Sequence, residues 1–258
     1  MNKKYLQESV RIMIKWEIKR ALRSRAFAIT TAFGFFMMME GRFDQTGGRI
    51  FGDSEPYLSK FLNSLAATPL TILWPITVMF PFVLSYRKER DSGFQRLMVL
   101  KASRGQYRKA KLAAVACSGF LSLFLPMTGW LLFCKFILGS GRVVNPIRFL
   151  PELAESFPFL YGMMYAVNAG VLGAVFAVWG LGLSAVVRNR YLALLIPVCY
   201  CVFTGVAAPR AWEAFKLIDP ATYSNPALGC WGILVYELAL LALGCFLFIG
   251  GDYHAGKA

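Results

Sequence analysis

Long apolar stretches alternate with charged segments along this chain, and each stretch approaches the length that crosses a lipid bilayer. About 20 apolar residues are needed, because an α-helix rises only ~1.5 Å per residue across a hydrocarbon core of ~30 Å. The pattern predicts an all-α integral membrane protein with six transmembrane helices, at 26–39, 65–84, 112–138, 159–187, 191–208 and 227–250. Pro69, Pro75 and Pro81 fall in the second stretch and predict that its helix is kinked or locally unwound.

The first 25 residues carry a different, amphipathic pattern. Apolar side chains recur every four residues at Val10, Ile14, Ile18 and Leu22, while basic residues occupy the other faces and Trp16 suits the headgroup zone. We therefore predict an N-terminal amphipathic helix that lies along the cytoplasmic membrane surface; a helical lead-in to the first transmembrane helix is the alternative. The chain then divides into this helix, 1–25, and a six-helix transmembrane domain, 26–258.

The distribution of charge predicts which side of the membrane each segment occupies. The chain has 28 Lys/Arg against 14 Asp/Glu, with a net charge of +14. Alternate segments between the apolar stretches carry 20 and 7 of the basic residues, so the positive-inside rule places both termini in the cytoplasm. This predicts a multi-pass protein of the inner or plasma membrane, with anionic lipids as partners. Because 57% of the residues are hydrophobic, the basic excess is not interpreted as a nucleic-acid-binding surface.

The residue types needed for catalysis or metal binding are sparse. The single histidine, His254, lies near the end of the chain, and the six cysteines fall within or at the ends of apolar stretches without metal-ligand spacing. No G-x-x-x-x-G-K-[ST] loop occurs, so the chain is not expected to bind ATP by that device. We predict that it is not an enzyme and binds no metal or cofactor itself.

The acid deepest in an apolar stretch is Glu237, about ten residues into the last one. A charged carboxylate at that depth costs ~2.5–3.5 kcal/mol or more, so Glu237 is expected to face the interior of the bundle. Two interpretations stay open. Glu237 is either a residue of a substrate pathway or gate, or a hydrogen-bonding anchor to another helix; Lys135 is a weak candidate for its partner.

The fourth apolar stretch contains small residues at helical spacing, at Ala166, Gly170 and Ala174, with Gly173 and Ala177 beside them. Such a stripe allows a second helix to approach closely. We favour tight packing within one subunit over a seam between two subunits.

The segment 86–111 combines strong basic charge with closely spaced apolar residues. It has nine Lys/Arg against Glu89 and Asp91. After Gly93, the apolar side chains of Phe94, Leu97, Met98 and Leu100 predict a short helix that buries them against something on the cytoplasmic face. The bundle, the lipid surface and a second protein are the candidates.

This segment resembles the coupling-helix region of ABC-2 type transporter permeases. In that family Glu-Arg-x-x-Gly precedes a short helix, a Ser turn and a Tyr-x-x-x-Lys entry to the third transmembrane helix; here the corresponding residues are Glu89, Arg90, Gly93, Leu97, Ser103, Tyr107 and Lys111. The run WGLGLSAVVRNR is similar to the family's end of the fourth helix, with Ser184, Arg188 and Asn189. The motifs cover about 35 residues, whereas the resemblance in architecture covers the whole chain.

The resemblance implies the permease subunit of a bacterial ATP-driven exporter, paired with a second copy or a paralogue. Two cytoplasmic ATP-binding subunits, which carry the ATP and Mg, would dock on the coupling helix through Glu89, Arg90, Gly93, Phe94, Leu97 and Met98. The expected cargo is amphipathic or hydrophobic: an antimicrobial peptide, a drug or a lipid. The alternative is a non-transporting assembly or sensor subunit that docks a soluble cytoplasmic partner. One departure from the family is the short outer segment 209–226, which leaves no room for a large external domain.

Overall fold

A computed structural model describes residues 3–47, 55–68, 70–101, 103–139, 151–187, 189–204 and 230–255. The described part of the chain is helical and contains no strand. Its helices are α1 Lys3–Leu22, α2 Arg25–Gln45, α3 Tyr57–Ala67, α4 Leu70–Met79, α5 Val83–Asp91, α6 Phe94–Lys101, α7 Arg104–Phe136, α8 Pro151–Ser156, α9 Pro158–Val186, α10 Arg190–Val202 and α11 Cys230–Ala255. The outer segment 209–226 lies outside the described residues.

Three of these helices are long and apolar enough to cross a membrane: Arg104–Phe136, Pro158–Val186 and Gly232–Gly251. They correspond to the third, fourth and sixth predicted transmembrane helices. The all-α prediction is thus confirmed for the described residues, and a membrane-protein character is supported by these three helices. Six membrane crossings and the side on which the termini lie stay predictions.

The other predicted crossings correspond to helices that are not among these three. The first corresponds to α2, which has 21 residues, and the fifth to the short apolar helix Tyr191–Val202. The second is divided among α3, α4 and α5. Thr68, which precedes Pro69, is extended with ψ 138°, as expected for a residue before proline, and Pro81 lies in the turn between α4 and α5. The predicted break in this stretch is therefore present, although Pro75 itself lies inside α4.

Small residues let α9 pack closely against two neighbours at the centre of the fold. A Cβ atom on Gly119 of α7 would lie only 2.7 Å from the carbonyl oxygen of Gly173 of α9. Nearer the end of α9, a Cβ atom on Gly182 would lie 2.5 Å from the carbonyl oxygen of Gly244 of α11. The small residues of α9 are therefore used for packing within one subunit, as favoured from the sequence.

The N-terminal helix α1 forms as predicted and packs against α7. Ser24 separates it from α2, because its side chain accepts a hydrogen bond from the backbone N–H of Phe27 and caps the new helix. The side chains of Ile12 and Trp16 are 64% and 47% exposed, so an apolar surface remains on the outside of α1. The predicted contact of α1 with a membrane surface stays a prediction.

Candidate functional site

Five side chains from three helices meet where α1 crosses α5 and the beginning of α7. We call this group the junction cluster: Glu17, Arg20, Glu89, Tyr107 and Lys111. Glu17 and Arg20 lie one turn apart on α1, and Tyr107 and Lys111 lie one turn apart on α7, so each helix presents its pair on one face. Glu89 reaches between them from α5.

The carboxylate of Glu89 is the centre of the junction cluster. It accepts hydrogen bonds from the hydroxyl of Tyr107, at 2.6 Å, and from Nζ of Lys111, also at 2.6 Å. The guanidinium of Arg20 donates to the same carboxylate. Glu89 is only 7% exposed, so these donors replace the water that its charge would otherwise bind.

Glu17 supplies a second carboxylate, which is fully buried. Its Oε2 accepts a hydrogen bond of 2.9 Å from Arg20 and lies 3.5 Å from Nζ of Lys111. Its Oε1 has no hydrogen-bond partner in the described part of the chain. The two carboxylates and the two cations of the cluster balance in formal charge.

The two carboxylates respond differently to burial. Burial raises the pKa of Glu17 above the ordinary glutamate value, and the attraction of Lys111 and Arg20 only partly offsets this. Burial also acts to raise the pKa of Glu89, but Lys111, Tyr107 and Arg20 outweigh it together, and the pKa of Glu89 is lowered. Glu89 is therefore held firmly as an anion, whereas Glu17 is the weaker acid of the cluster.

The ring of Phe82 closes the cluster on the side of α5. Nζ of Lys111 lies 4.4 Å from the centre of this ring, and Cζ of Arg20 lies 5.2 Å from it. Both cations are therefore held by an aromatic face as well as by carboxylates. Arg20 also lies 5.0 Å from the ring of Trp16, which is half exposed.

The predicted short helix in the segment 86–111 is present as α6, Phe94–Lys101. Gly93 ends α5 and turns the chain into α6 with φ +74°, a left-handed conformation that glycine adopts without strain. The side chain of Leu97 is 60% exposed, Phe94 is partly buried, and Met98 packs against the core. Of the predicted apolar docking residues, Leu97 is thus the one that projects most clearly from the fold.

The two charged residues predicted at the docking surface, Glu89 and Arg90, also have contacts inside the chain, and their role in docking stays a prediction. The Glu89 carboxylate is inside the junction cluster, where it accepts hydrogen bonds from Arg20, Tyr107 and Lys111. The guanidinium of Arg90 donates to the backbone carbonyl of Ala185, at 3.4 Å, in the last turn of α9. A cation at that position satisfies a carbonyl that the end of the helix leaves without an intrahelical partner.

The residues predicted at the end of the fourth transmembrane helix have local structural roles. The hydroxyl of Ser184 is buried and donates to the carbonyl of Leu181, at 2.7 Å. Asn189 caps α10, because its side-chain oxygen accepts a hydrogen bond of 2.9 Å from the N–H of Tyr191. Arg188 lies outside the described residues.

Glu237 lies apart from the junction cluster, on the buried face of α11. It is 6% exposed, and its Oε1 has no hydrogen-bond partner in the described part of the chain. The ammonium of Lys135, its candidate partner, lies 4.3 Å from the ring centre of Phe159. Within the described residues, no group of three or more His, Cys, Asp or Glu side chains could hold a metal ion.

Only part of the junction cluster could be predicted from the sequence. Glu89, Tyr107 and Lys111 were selected through the motif, and the structure brings these three side chains together. Glu17 and Arg20 were missed. The available signal was the position of Glu17, which at 100° per residue falls beside Val10 at the edge of the apolar stripe of α1, where a buried carboxylate needs a cation.

Comparison of the chain with protein-family models, with curated proteins and with solved structures gives no match. The resemblance to ABC-2 permeases therefore stays a prediction, supported by residues within this chain alone.

Proposed function

We propose that this chain is the permease subunit of an ATP-driven ABC-2 type exporter, embedded in the inner or plasma membrane. The observation that carries the proposal is the position of α6. This short helix exposes Leu97, while the helix immediately before it holds Glu89 inside the junction cluster. An exposed apolar residue is thereby joined through a single turn at Gly93 to a buried ionic group.

This arrangement suits the transmission of movement from a docked protein into the bundle. A displacement of α6 acts on α5, and Glu89 carries it to Arg20 of α1 and to Lys111 of α7. Because the charges of the cluster are buried, moving Glu89 away from its cations is costly, so the three helices tend to move together. A nucleotide-driven change in the partner would then bias the bundle between two conformations.

In this proposal ATP and Mg bind to two separate cytoplasmic subunits, and hydrolysis takes place there. A second copy of the chain or a paralogue completes the permease. The cargo is amphipathic or hydrophobic, since the helices that would line its path are predominantly apolar.

The test is co-purification of the chain from its native membrane with any ATP-binding subunit that associates, followed by measurement of Mg-dependent ATP hydrolysis in lipid nanodiscs. Leu97→Asp is expected to abolish both association and stimulated hydrolysis, because the charge cannot enter an apolar docking cleft. Leu97→Met and the charge reversal Lys88→Glu at an exposed flanking position serve as controls and are expected to retain association.

Failure of any ATPase to associate, or hydrolysis that ignores Leu97→Asp, would refute the exporter proposal. A partner without ATPase activity that binds through Leu97 would instead favour the assembly or sensor subunit.

A further inference from the structure

Glu237 differs from the other buried carboxylates in the described part of the chain, which are Glu17 and Glu89. Each of those two lies within ion-pair distance of Lys111 and Arg20. Glu237 has no ion pair to a described residue, and its Oε1 accepts no hydrogen bond from one. A buried carboxylate without a counter-charge is unfavourable, so such a group either holds a proton or is completed by a cation from outside this part of the chain.

The position of Glu237 on α11 points it away from the outer apolar surface of that helix. The side chains of Leu234, Val235 and Leu238 are 47%, 67% and 62% exposed, whereas Ile233 on the Glu237 face is 6% exposed. Glu237 therefore lies on the face of α11 that packs on the bundle, within the candidate span Gly232–Gly251. Intramembrane carboxylates in such positions commonly mark the path of an ion or a substrate.

An aromatic residue, Tyr236, precedes Glu237 on α11, and further aromatic side chains lead from it to the next helices. The hydroxyl of Tyr236, the residue before Glu237, lies 3.3 Å from the hydroxyl of Tyr200 on α10. The Tyr200 ring packs edge to face against Trp179 of α9, with ring centres 5.2 Å apart. A row of three aromatic rings thus starts at the residue next to Glu237 and runs from α11 across α10 to α9. A carboxylate with aromatic rings is the combination that recognises organic cations.

We propose that Glu237, with Tyr200, Tyr236 and Trp179, forms a recognition site for a hydrophobic molecule that carries one positive charge. The carboxylate neutralises the charge, and the rings contact the apolar body of the molecule. As a statement about cargo this rests on the proposed function, and it narrows the cargo to amphipathic cations. Binding itself requires only this chain.

The first experiment measures equilibrium binding of tetraphenylphosphonium to the purified full chain in detergent micelles. We expect saturable binding that Glu237→Gln weakens by about thirtyfold or more, since it removes one partner of a buried charge pair. Glu155→Gln, at an exposed carboxylate of α8, is the matched control and should bind as the wild type does. Tetraphenylborate, which has nearly the same shape and the opposite charge, is measured in a separate titration and should show no saturable binding.

Absence of binding to the wild type, equal binding to Glu237→Gln, or equal binding of tetraphenylborate would overturn the proposal. A second measurement needs no variant. Dicyclohexylcarbodiimide reacts with protonated carboxyl groups in apolar surroundings, and peptide mass spectrometry should find Glu237 modified. Tetraphenylphosphonium should protect it and tetraphenylborate should not; labelling that is indifferent to the cation would show that Glu237 only binds a proton.

These outcomes separate the two proposals. If no ATPase associates with the chain but the cation still binds at Glu237, the exporter proposal fails and the binding site remains. If the ATPase associates through Leu97 but the cation does not bind, the exporter proposal stands and the cargo assignment fails.

Discussion

Removal of the Lys111 ammonium is expected to destabilise the chain strongly, and removal of the Glu89 charge as well is expected to restore part of the loss. The substitutions are Lys111→Met, which keeps the length of the side chain, and Glu89→Gln, which keeps an oxygen that accepts the hydrogen bond from Tyr107. The side chains of Lys111 and Glu89 are 0% and 8% exposed and 2.6 Å apart. Solvent therefore screens this pair very little.

The expected magnitudes follow from the charge balance of the junction cluster. Lys111→Met leaves Glu17 and Glu89 with Arg20 as their remaining cation in the cluster, and breaking a buried ion pair in this way costs ~3–5 kcal/mol. Glu89→Gln leaves an excess positive charge and should cost a similar amount. The double variant is balanced again, so its loss should fall short of the sum by ~2–3 kcal/mol.

The assay is a double-mutant cycle of the free energy of unfolding, from titration of mixed micelles with dodecyl sulfate followed by tryptophan fluorescence. A control cycle uses Arg87→Met and Asp91→Asn, since that pair is 3.3 Å apart but the Asp91 side chain is 56% exposed. Its coupling should be below ~1 kcal/mol. If the effects at Lys111 and Glu89 add to within ~0.5 kcal/mol, the cluster is not a coupled ionic group.

The packing of α7 against α9 predicts that Gly119→Ala lowers the free energy of unfolding by ~1–3 kcal/mol. The added Cβ atom would lie 2.5 Å from the Cβ atom of Ala177 and 2.7 Å from the carbonyl oxygen of Gly173. Gly105→Ala in the same helix, where the space is open, should be neutral or stabilise by up to ~1 kcal/mol in the same titration; equal effects would contradict the close contact. The lowered pKa of Glu89 predicts a pH dependence. The ionised Glu89 carboxylate stabilises the fold fully at a pH above its unfolded-state pKa of ~4.3. This stabilisation is lost as the pH falls through the lower pKa of Glu89 in the folded chain. As the pH is lowered, the midpoint of thermal unfolding should therefore fall more for the wild type than for Glu89→Gln. Equal falls in the two midpoints would contradict a stabilising charge on Glu89.

The long apolar helices could be predicted from the sequence because length and composition alone define them. The counterparts of the third, fourth and sixth stretches, α7, α9 and α11, all appear near the expected bounds. The shorter helices were less predictable. The bounds of the helices within 65–84 depend on which neighbouring groups form hydrogen bonds with the backbone groups that Pro69 and Pro81 leave without partners. Hydropathy carries no information on those neighbours.

The candidate site shows a similar limit. The contact of Glu89 with Tyr107 and Lys111 could be expected from a motif, because their spacing places two of them one turn apart on α7. The side chains that α1 adds to the cluster could not be predicted. Glu17 and Lys111 are 94 positions apart in the sequence, and their pairing depends on how the helices pack. Charge pattern indicates that a buried carboxylate needs a cation, but does not identify which one.

The glycine contacts of α9 have a mechanical consequence. Where the backbones of α7 and α11 touch α9 at Gly119 and Gly244, a rotation of α9 would drive larger side chains into spaces that hold no Cβ atom. The helices α7, α9 and α11 therefore form one rigid unit. The contacts of α9 with α4 and α10, by contrast, run through side chains, such as Trp74 with Phe176, Met79 with Gly180 and Trp179 with Tyr200, and side chains can change rotamer. In any large rearrangement of this bundle, α7, α9 and α11 would accordingly move as one unit, and α4 and α10 would shift relative to them.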